Sequence, residues 1–339
     1  KLDIAWSGSN GTVVFIHGKA NCTDSGMGMY DSRCGNDLRG YWLNSTNDGG
    51  DGHDFMDEAT ARTDGSSWTY WEAISIRYDG ENQAFWSATS DVAACLSDLA
   101  AGTNSSGCNP SLIHRTQFRV VAHSMGGAIL DRILSTGWWP QLTGSGGAII
   151  GSPVTSSGAL AGAKSASALY GVDGASNFCT TLVSWVAGWA LKNAGTQSLE
   201  RGTVIGEANN GKAGKSPRWI YKVTTTGGGG SCNNNSADSI SESVDDGKMG
   251  LLCGCIGTSS DDDSDGILWM YDTDPTSNPS ASNGGKLRSQ YTGYYWHWVA
   301  SWANHSHTRN DAYVAKYGYQ TASGCYSISP GTCVGQYAW

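Results

Sequence analysis

One serine in this sequence sits where an apolar run gives way to a pair of glycines, in Val120-Val121-Ala122-His123-Ser124-Met125-Gly126-Gly127. A serine hydroxyl is a poor nucleophile at neutral pH. It becomes effective when a base lies within hydrogen-bond reach and the backbone exposes its oxygen. The pattern G-x-S-x-G supplies the exposure, because small flanking residues relieve the crowding of a strained strand-to-helix turn. Ala122 stands in the place of the first glycine and Gly126 keeps the second. The competing reading is a serine that merely caps a helix.

A nucleophile of this kind needs a strand before it and a helix after it, and the flanking sequence predicts both. Residues 117–122 read as a buried strand, and 128–134 are apolar at helical spacing directly after the glycines. The helix amino terminus beneath Ser124 would favour developing negative charge. Further strands are expected at 12–17, ending in His17-Gly18, and at 73–78, 147–150 and 218–223, with a helix over 85–100 and another from about Asp311. Alternation of this kind predicts an α/β fold with a mainly parallel sheet covered by helices on both faces.

A single domain over 1–339 is the simplest partition. Residues 155–216 interrupt the alternation with Ala/Ser/Gly-rich, helix-like sequence, as either a cap or an ordinary packed helix pair. Trp185 and Trp189, at i and i+4, share one face in both cases. Residues 19–67, rich in Gly, Asp and Asn, read as a surface region pinned by cysteines.

Composition narrows the partners. The net charge is −9 and the 21 Lys and Arg are scattered, which argues against nucleic acid. The 47 Gly, 15 Trp and 15 Tyr suit long loops bearing aromatic groups rather than disorder. Ten cysteines point to disulfides formed in an oxidising compartment, hence to a secreted protein. Short spacings make Cys22–Cys34, Cys95–Cys108 and Cys325–Cys333 candidate pairs. Cys253-Gly254-Cys255 lacks the C-x-x-C spacing of a zinc site. No apolar run approaches the roughly 18 residues that span a bilayer. A start at Lys1, with neither initiating methionine nor apolar leader, is what a removed signal peptide would leave.

Taken together, Phe15-Ile16-His17-Gly18, Ala122-His123-Ser124-Met125-Gly126 and Ile150-Gly151-Ser152-Pro153 resemble the α/β-hydrolase superfamily, in particular its secreted bacterial lipases and esterases and its extracellular polyester (polyhydroxyalkanoate) depolymerases. The resemblance covers the sheet from about residue 12 to 153. It implies that the backbone N–H groups of Lys19 and Met125 receive the oxyanion, each such donor typically lowering the barrier by about 3 kcal/mol. It also implies the chain order serine, acid, histidine. Three histidines follow Ser124. His297 lies inside the aromatic run Tyr294-Tyr295-Trp296-His297-Trp298, leaving His305, preferred as the base, and His307.

For the acid, the resemblance favours Asp265 in Ser264-Asp265-Gly266-Ile267-Leu268. Asp245 and Asp246, nearer the strand that ends at Val223, are the rivals. The acid would hold the imidazole's tautomer and stabilise the imidazolium. Asp265 has another reading: with Asp261, Asp263, Gly266 and Asp272 it fits a D-x-D-x-D-G calcium loop over 261–272, and a metal-bound Asp265 could not orient a histidine. No cofactor is required by the chemistry, and structural calcium at that loop is the only ion the sequence suggests.

The expectation is a monomeric, secreted carboxylic ester hydrolase working through Ser124, His305, Asp265 and an acyl-enzyme. Its substrate would be a small or polymeric ester, and the abundant aromatics favour an apolar acyl chain or polyester over a peptide. The alternative is a non-catalytic secreted binding protein on a hydrolase-like scaffold.

Overall fold

The computed structural model describes residues 1–8, 11–20, 22, 39–42, 72–150, 153–156, 158–160, 162–163, 166, 194–199, 221–226 and 295–300. The strands are β1 (Leu2–Trp6), β2 (Thr12–Ile16), β3 (Glu72–Ile76), β4 (Arg119–His123), β5 (Val154–Ser156), β6 (Tyr221–Thr226) and β7 (Tyr295–Ala300). They form one seven-stranded sheet in the order β1-β3-β2-β4-β5-β6-β7. Only β1 runs antiparallel to its neighbour; every other pairing is parallel. The helices are α1 (Arg39–Trp42), α2 (Phe85–Ala101), α3 (Met125–Thr136), α4 (Pro140–Thr143) and α5 (Ala194–Ser198).

Burial explains the central strands. All five residues of β2 and of β3 are buried, as are Val120 to His123 of β4. A parallel strand covered on both faces must be apolar almost throughout, and Val13-Val14-Phe15-Ile16 meets that demand with β-branched and aromatic residues. In α2 the apolar residues Phe85, Ala88, Val92, Leu96 and Leu99 recur at helical spacing and are buried. Helix α3 is buried along its whole length, so the small residues Gly126, Gly127 and Ala128 allow it to seat closely. The two helices share one apolar core with β2 and β4, in which Ile16, Phe85, Val92, Leu96, Ile129 and Ile133 take part.

The sheet departs from the sequence expectations in three places. Residues 147–150 are not a strand: Ile149 makes one isolated bridge to Phe118, flanked by Phe118 N–H to Ala148 O at 2.9 Å and Ile150 N–H to Phe118 O at 3.0 Å. The strand proper comes after Pro153, where β5 pairs with Val121, Ala122 and His123. Residues 155 and 156, expected to open an insertion, therefore belong to the sheet. The third departure is β1, absent from the sequence expectations: an antiparallel edge strand with Leu2 and Ala5 buried, Ile4 exposed and a register shift between Ile4 and Trp6.

Within 155–216, α5 is seated on the body of the protein. Ser198 Oγ accepts the N–H of Phe85 at 2.8 Å, which caps α2 where Ala84 offers no side chain, and donates to Gly195 O at 2.8 Å. Gly195 N–H bonds Glu81 O at 2.9 Å, and Ala163 N–H bonds Leu199 O at 2.7 Å. No helix among the described residues is long and apolar enough to cross a membrane.

Candidate active site

From β2 the chain crosses to β3 on one side, whereas from β4 it continues to β5 on the other. The carboxyl ends of β2 and β4 therefore flank the point where the connections diverge, and open α/β sheets bind ligands in the crevice such a point creates. Ile16 pairs with Ala122, so His17-Gly18 and His123-Ser124 leave the sheet side by side.

Ser124 occupies the turn between β4 and α3 with φ 55° and ψ −124°. A non-glycine residue with positive φ is strained, and this ψ lies outside the left-handed helical well. Three backbone bonds hold the turn: Ser124 N–H to Ser156 O at 3.2 Å, and Gly127 and Ala159 N–H to Ser124 O at 2.9 and 3.0 Å. The Ser124 side chain makes no capping bond to α3, which removes the reading of a serine that merely caps a helix. Ser124 is 8 % exposed and Met125 is buried.

Close backbone approach explains two glycines. A Cβ at Gly126 would stand 2.4 Å from His17 O and 2.5 Å from Ile16 O, so α3 begins directly against the end of β2. A Cβ at Gly18 would stand 2.6 Å from Tyr41 Oη and 2.7 Å from Ser124 Cβ. Gly18, and with it the backbone leading to Lys19, thus lies against the serine. Ala122, fully buried within β4, shows that the first position of the elbow tolerates a methyl group here.

The loop after β2 is held by aromatic and imidazole groups. Tyr78 N–H bonds His17 Nε2 at 3.3 Å, which makes Nε2 an acceptor and assigns the ring proton to Nδ1; Nδ1–H then donates to Gly18 O at 2.7 Å. Tyr78 Oη shares its one hydrogen between His17 O at 2.6 Å and Gly18 O at 3.0 Å, while its ring stacks on His17 at 4.0 Å between centroids. Burial, aided by Tyr41, pushes the Tyr78 phenol well above its ordinary pKa, so it stays a donor. Gly18 N–H bonds Tyr41 Oη at 2.7 Å, and Tyr41 Oη bonds His123 Nδ1 at 2.8 Å. Trp42 packs edge-on against Phe15 and His123, fixing α1 over both strand ends. Burial lowers the pKa of the Lys19 amine, partly offset by Glu81.

Of the sequence-selected residues, Ser124 and Met125 stand at the turn from β4 into α3, and Lys19 directly follows Gly18, which lies against Ser124. His305, His307, Asp245, Asp246, Asp265 and the 261–272 loop lie outside the described residues. His297 lies within β7, in register with Val223. The cysteine pair Cys95–Cys108 is a disulfide, and Cys22 is also disulfide-bonded. Sequence reading missed Tyr41 and Tyr78. Tyr41 lies in a segment with no period to mark it, whereas Tyr78, the last residue of the strand expected at 73–78, could have been suspected from its place at a carboxyl end. No group of three or more His, Cys, Asp or Glu suited to a metal ion occurs among the described residues.

Comparison with known proteins adds the class. No protein-family model and no curated protein matches the chain. Among solved structures it is similar to EstA from Clostridium botulinum, with a TM-score of 0.50 and 16% identity over 94% of this chain and 88% of that one. It is also similar to the mature form of the Bacillus licheniformis lipase BlEst2, with a TM-score of 0.49 and 13% identity over 90% and 91% of the two chains. The Staphylococcus hyicus lipase gives a TM-score of 0.48 and 14% identity over 94% and 97%. Sheet order, strand-turn-helix at Ser124 and the likeness to EstA agree: the chain has the α/β-hydrolase fold.

Proposed function

We propose that the protein is a secreted serine hydrolase acting on carboxylic esters. The observation that carries this reading is the strained backbone of Ser124 at the carboxyl end of β4, with Gly18 pressed against it. Strain of this kind persists where the surroundings over-determine it and function needs it. In the reaction, Ser124 Oγ attacks the acyl carbon as His305 takes its proton, and Asp265 orients His305. The Lys19 and Met125 N–H groups hold the oxyanion. The alcohol leaves with the proton from His305, and water activated by the same histidine hydrolyses the acyl-enzyme, releasing the acid and restoring Ser124.

Chain order supports the partners. All three acid candidates follow the carboxyl end of β6 at Thr226, and His305 comes five residues past the end of β7 at Ala300, at the same edge of the parallel sheet as the carboxyl end of β4. The resemblance of the segments around Gly18, Ser124 and Pro153 to lipases and esterases suggests an ester substrate; the richness in Trp and Tyr favours an apolar acyl group.

The test is hydrolysis of p-nitrophenyl esters of graded chain length, with a polyhydroxyalkanoate film as a second substrate. Ser124→Ala and His305→Ala should each lower kcat by at least about 10⁴-fold. Retained turnover in Ser124→Ala would overturn the reading. Asp265→Asn compared with Asp246→Asn assigns the acid, since only loss at the true partner disturbs the histidine.

A further inference from the structure

Resting on the reading of Ser124 as nucleophile and Lys19 N–H as oxyanion donor, we propose that Tyr78 and Tyr41 are positioning residues. Their phenols clamp the two peptide units that meet at Gly18 and so aim the Lys19 N–H. Gly18 C=O and Lys19 N–H belong to one planar trans unit, so whatever fixes the carbonyl also fixes the N–H, which points the opposite way. Tyr78 Oη donates to that carbonyl at 3.0 Å, alongside His17 Nδ1–H at 2.7 Å.

The preceding unit, His17 C=O with Gly18 N–H, is held at both ends. Tyr78 Oη reaches its oxygen at 2.6 Å, and its N–H is taken by Tyr41 Oη at 2.7 Å. Tyr41 Oη also bonds His123 Nδ1 at 2.8 Å, in the residue just before Ser124. One phenol thus ties the loop bearing one proposed donor to the end of the strand that leads to the other, Met125. Both tyrosines are buried, and their rings are fixed by stacking of Tyr78 on His17 and by edge contact of Tyr41 with Trp42. The hydroxyls therefore have little freedom to wander.

Neither phenol acts on the reacting atoms in this scheme; each works through the peptide it holds. A hydrogen bond weakens steeply as its angle falls, so a tilted Lys19 N–H loses most of its hold on an oxyanion while substrate binding elsewhere is untouched. The effect belongs to turnover rather than to KM.

The experiment uses the full chain and the isosteric variants Tyr78→Phe and Tyr41→Phe, with active sites counted by end-point titration with a fluorophosphonate. Per titrated site, each variant should lower kcat for a p-nitrophenyl ester about tenfold with KM within about twofold, and weaken a trifluoromethyl ketone, whose adduct carries the oxyanion, by a similar factor. His123→Asn, whose amide can replace Nδ1 as the partner of Tyr41 Oη, should retain most activity, whereas His123→Leu should behave as Tyr41→Phe does. Unchanged kcat and unchanged ketone affinity per site, with only the melting temperature lowered, would overturn the clamp and leave a structural role. If Tyr78→Phe fails to fold, Tyr41→Phe and the His123 pair carry the same test. A native protein that does not titrate at all overturns the nucleophile reading itself, and the clamp with it.

Discussion

At the carboxyl ends of β2 and β4, side-chain polar groups bond to peptide units: Tyr78 and His17 to carbonyls, Tyr41 to an N–H, all beside a serine in strained backbone. At the amino ends of β2 and β3, polar side chains are paired with one another. Glu72, buried at the start of β3, receives Arg115 Nε and Nη2, each at 2.7 Å, and Thr12 Oγ1 at 2.8 Å, and this bonding raises the Arg115 pKa. Arg115 N–H in turn bonds Leu99 O at the last turn of α2. Just beyond, Asp98 receives the side chains of Thr103 and Ser106 and the N–H groups of Ser105 and Ser106. The contrast separates two uses of buried polarity. One end fixes backbone around a crevice and tolerates strain there; the other pairs charged and polar groups locally and holds the sheet and helix together.

Substitutions at the two ends should therefore move different quantities. Replacing Cys95 and Cys108 by serine opens a link spanning 13 residues and should cost about 3 kcal/mol in chemical denaturation while leaving kcat within about twofold. Gly18→Ala should do the reverse. Its methyl would crowd Ser124 Cβ and Tyr41 Oη, and a displacement near 1 Å should lower kcat/KM by about 10²-fold with little loss of melting temperature. Glu72→Gln leaves the Arg115 guanidinium without its carboxylate and should cost about 2 kcal/mol with turnover unchanged. A large fall in kcat for Glu72→Gln would erase the distinction between the two ends.

The smallest effect concerns pH. Burial opposes the charge on Asp98, but bonds from the Ser106 and Thr103 side chains and from the Ser106 and Ser105 N–H groups outweigh it and hold the carboxyl well below the usual range. A depressed folded-state pKa contributes stability that is fully present above the unfolded value, about 4, and is lost as pH falls through the folded one. The difference in melting temperature between the native protein and Asp98→Asn should thus be greatest near neutrality and shrink below about pH 4.

Much of the fold was legible because the central strands and α2 carry one dominant signal each: unbroken apolar runs at 13–16 and 120–122, and helical spacing over 85–101. The Ser124 turn was legible for a related reason, since a strand, small residues and a helix coincide there. The strand expected at 147–150 shows where local sequence misleads. Gly147-Ala148-Ile149-Ile150 is as apolar as Val154-Thr155-Ser156, yet only the latter reaches the ladder beside Val121 to His123; pairing position is a tertiary fact. The phenolic clamp was invisible for the same cause: Tyr41, Tyr78 and His17 are distant in sequence and meet only when β2, β3 and α1 are assembled.

The central claim is that Ser124 is a nucleophile rather than a strained structural residue. The most direct measurement is reaction of the native protein with a fluorophosphonate probe, followed by peptide mapping of the adduct. The account predicts one phosphonyl group per chain, on Ser124, formed with loss of ester hydrolysis and absent from Ser124→Ala. Active protein that takes up no label, or that is labelled equally in Ser124→Ala, would contradict it.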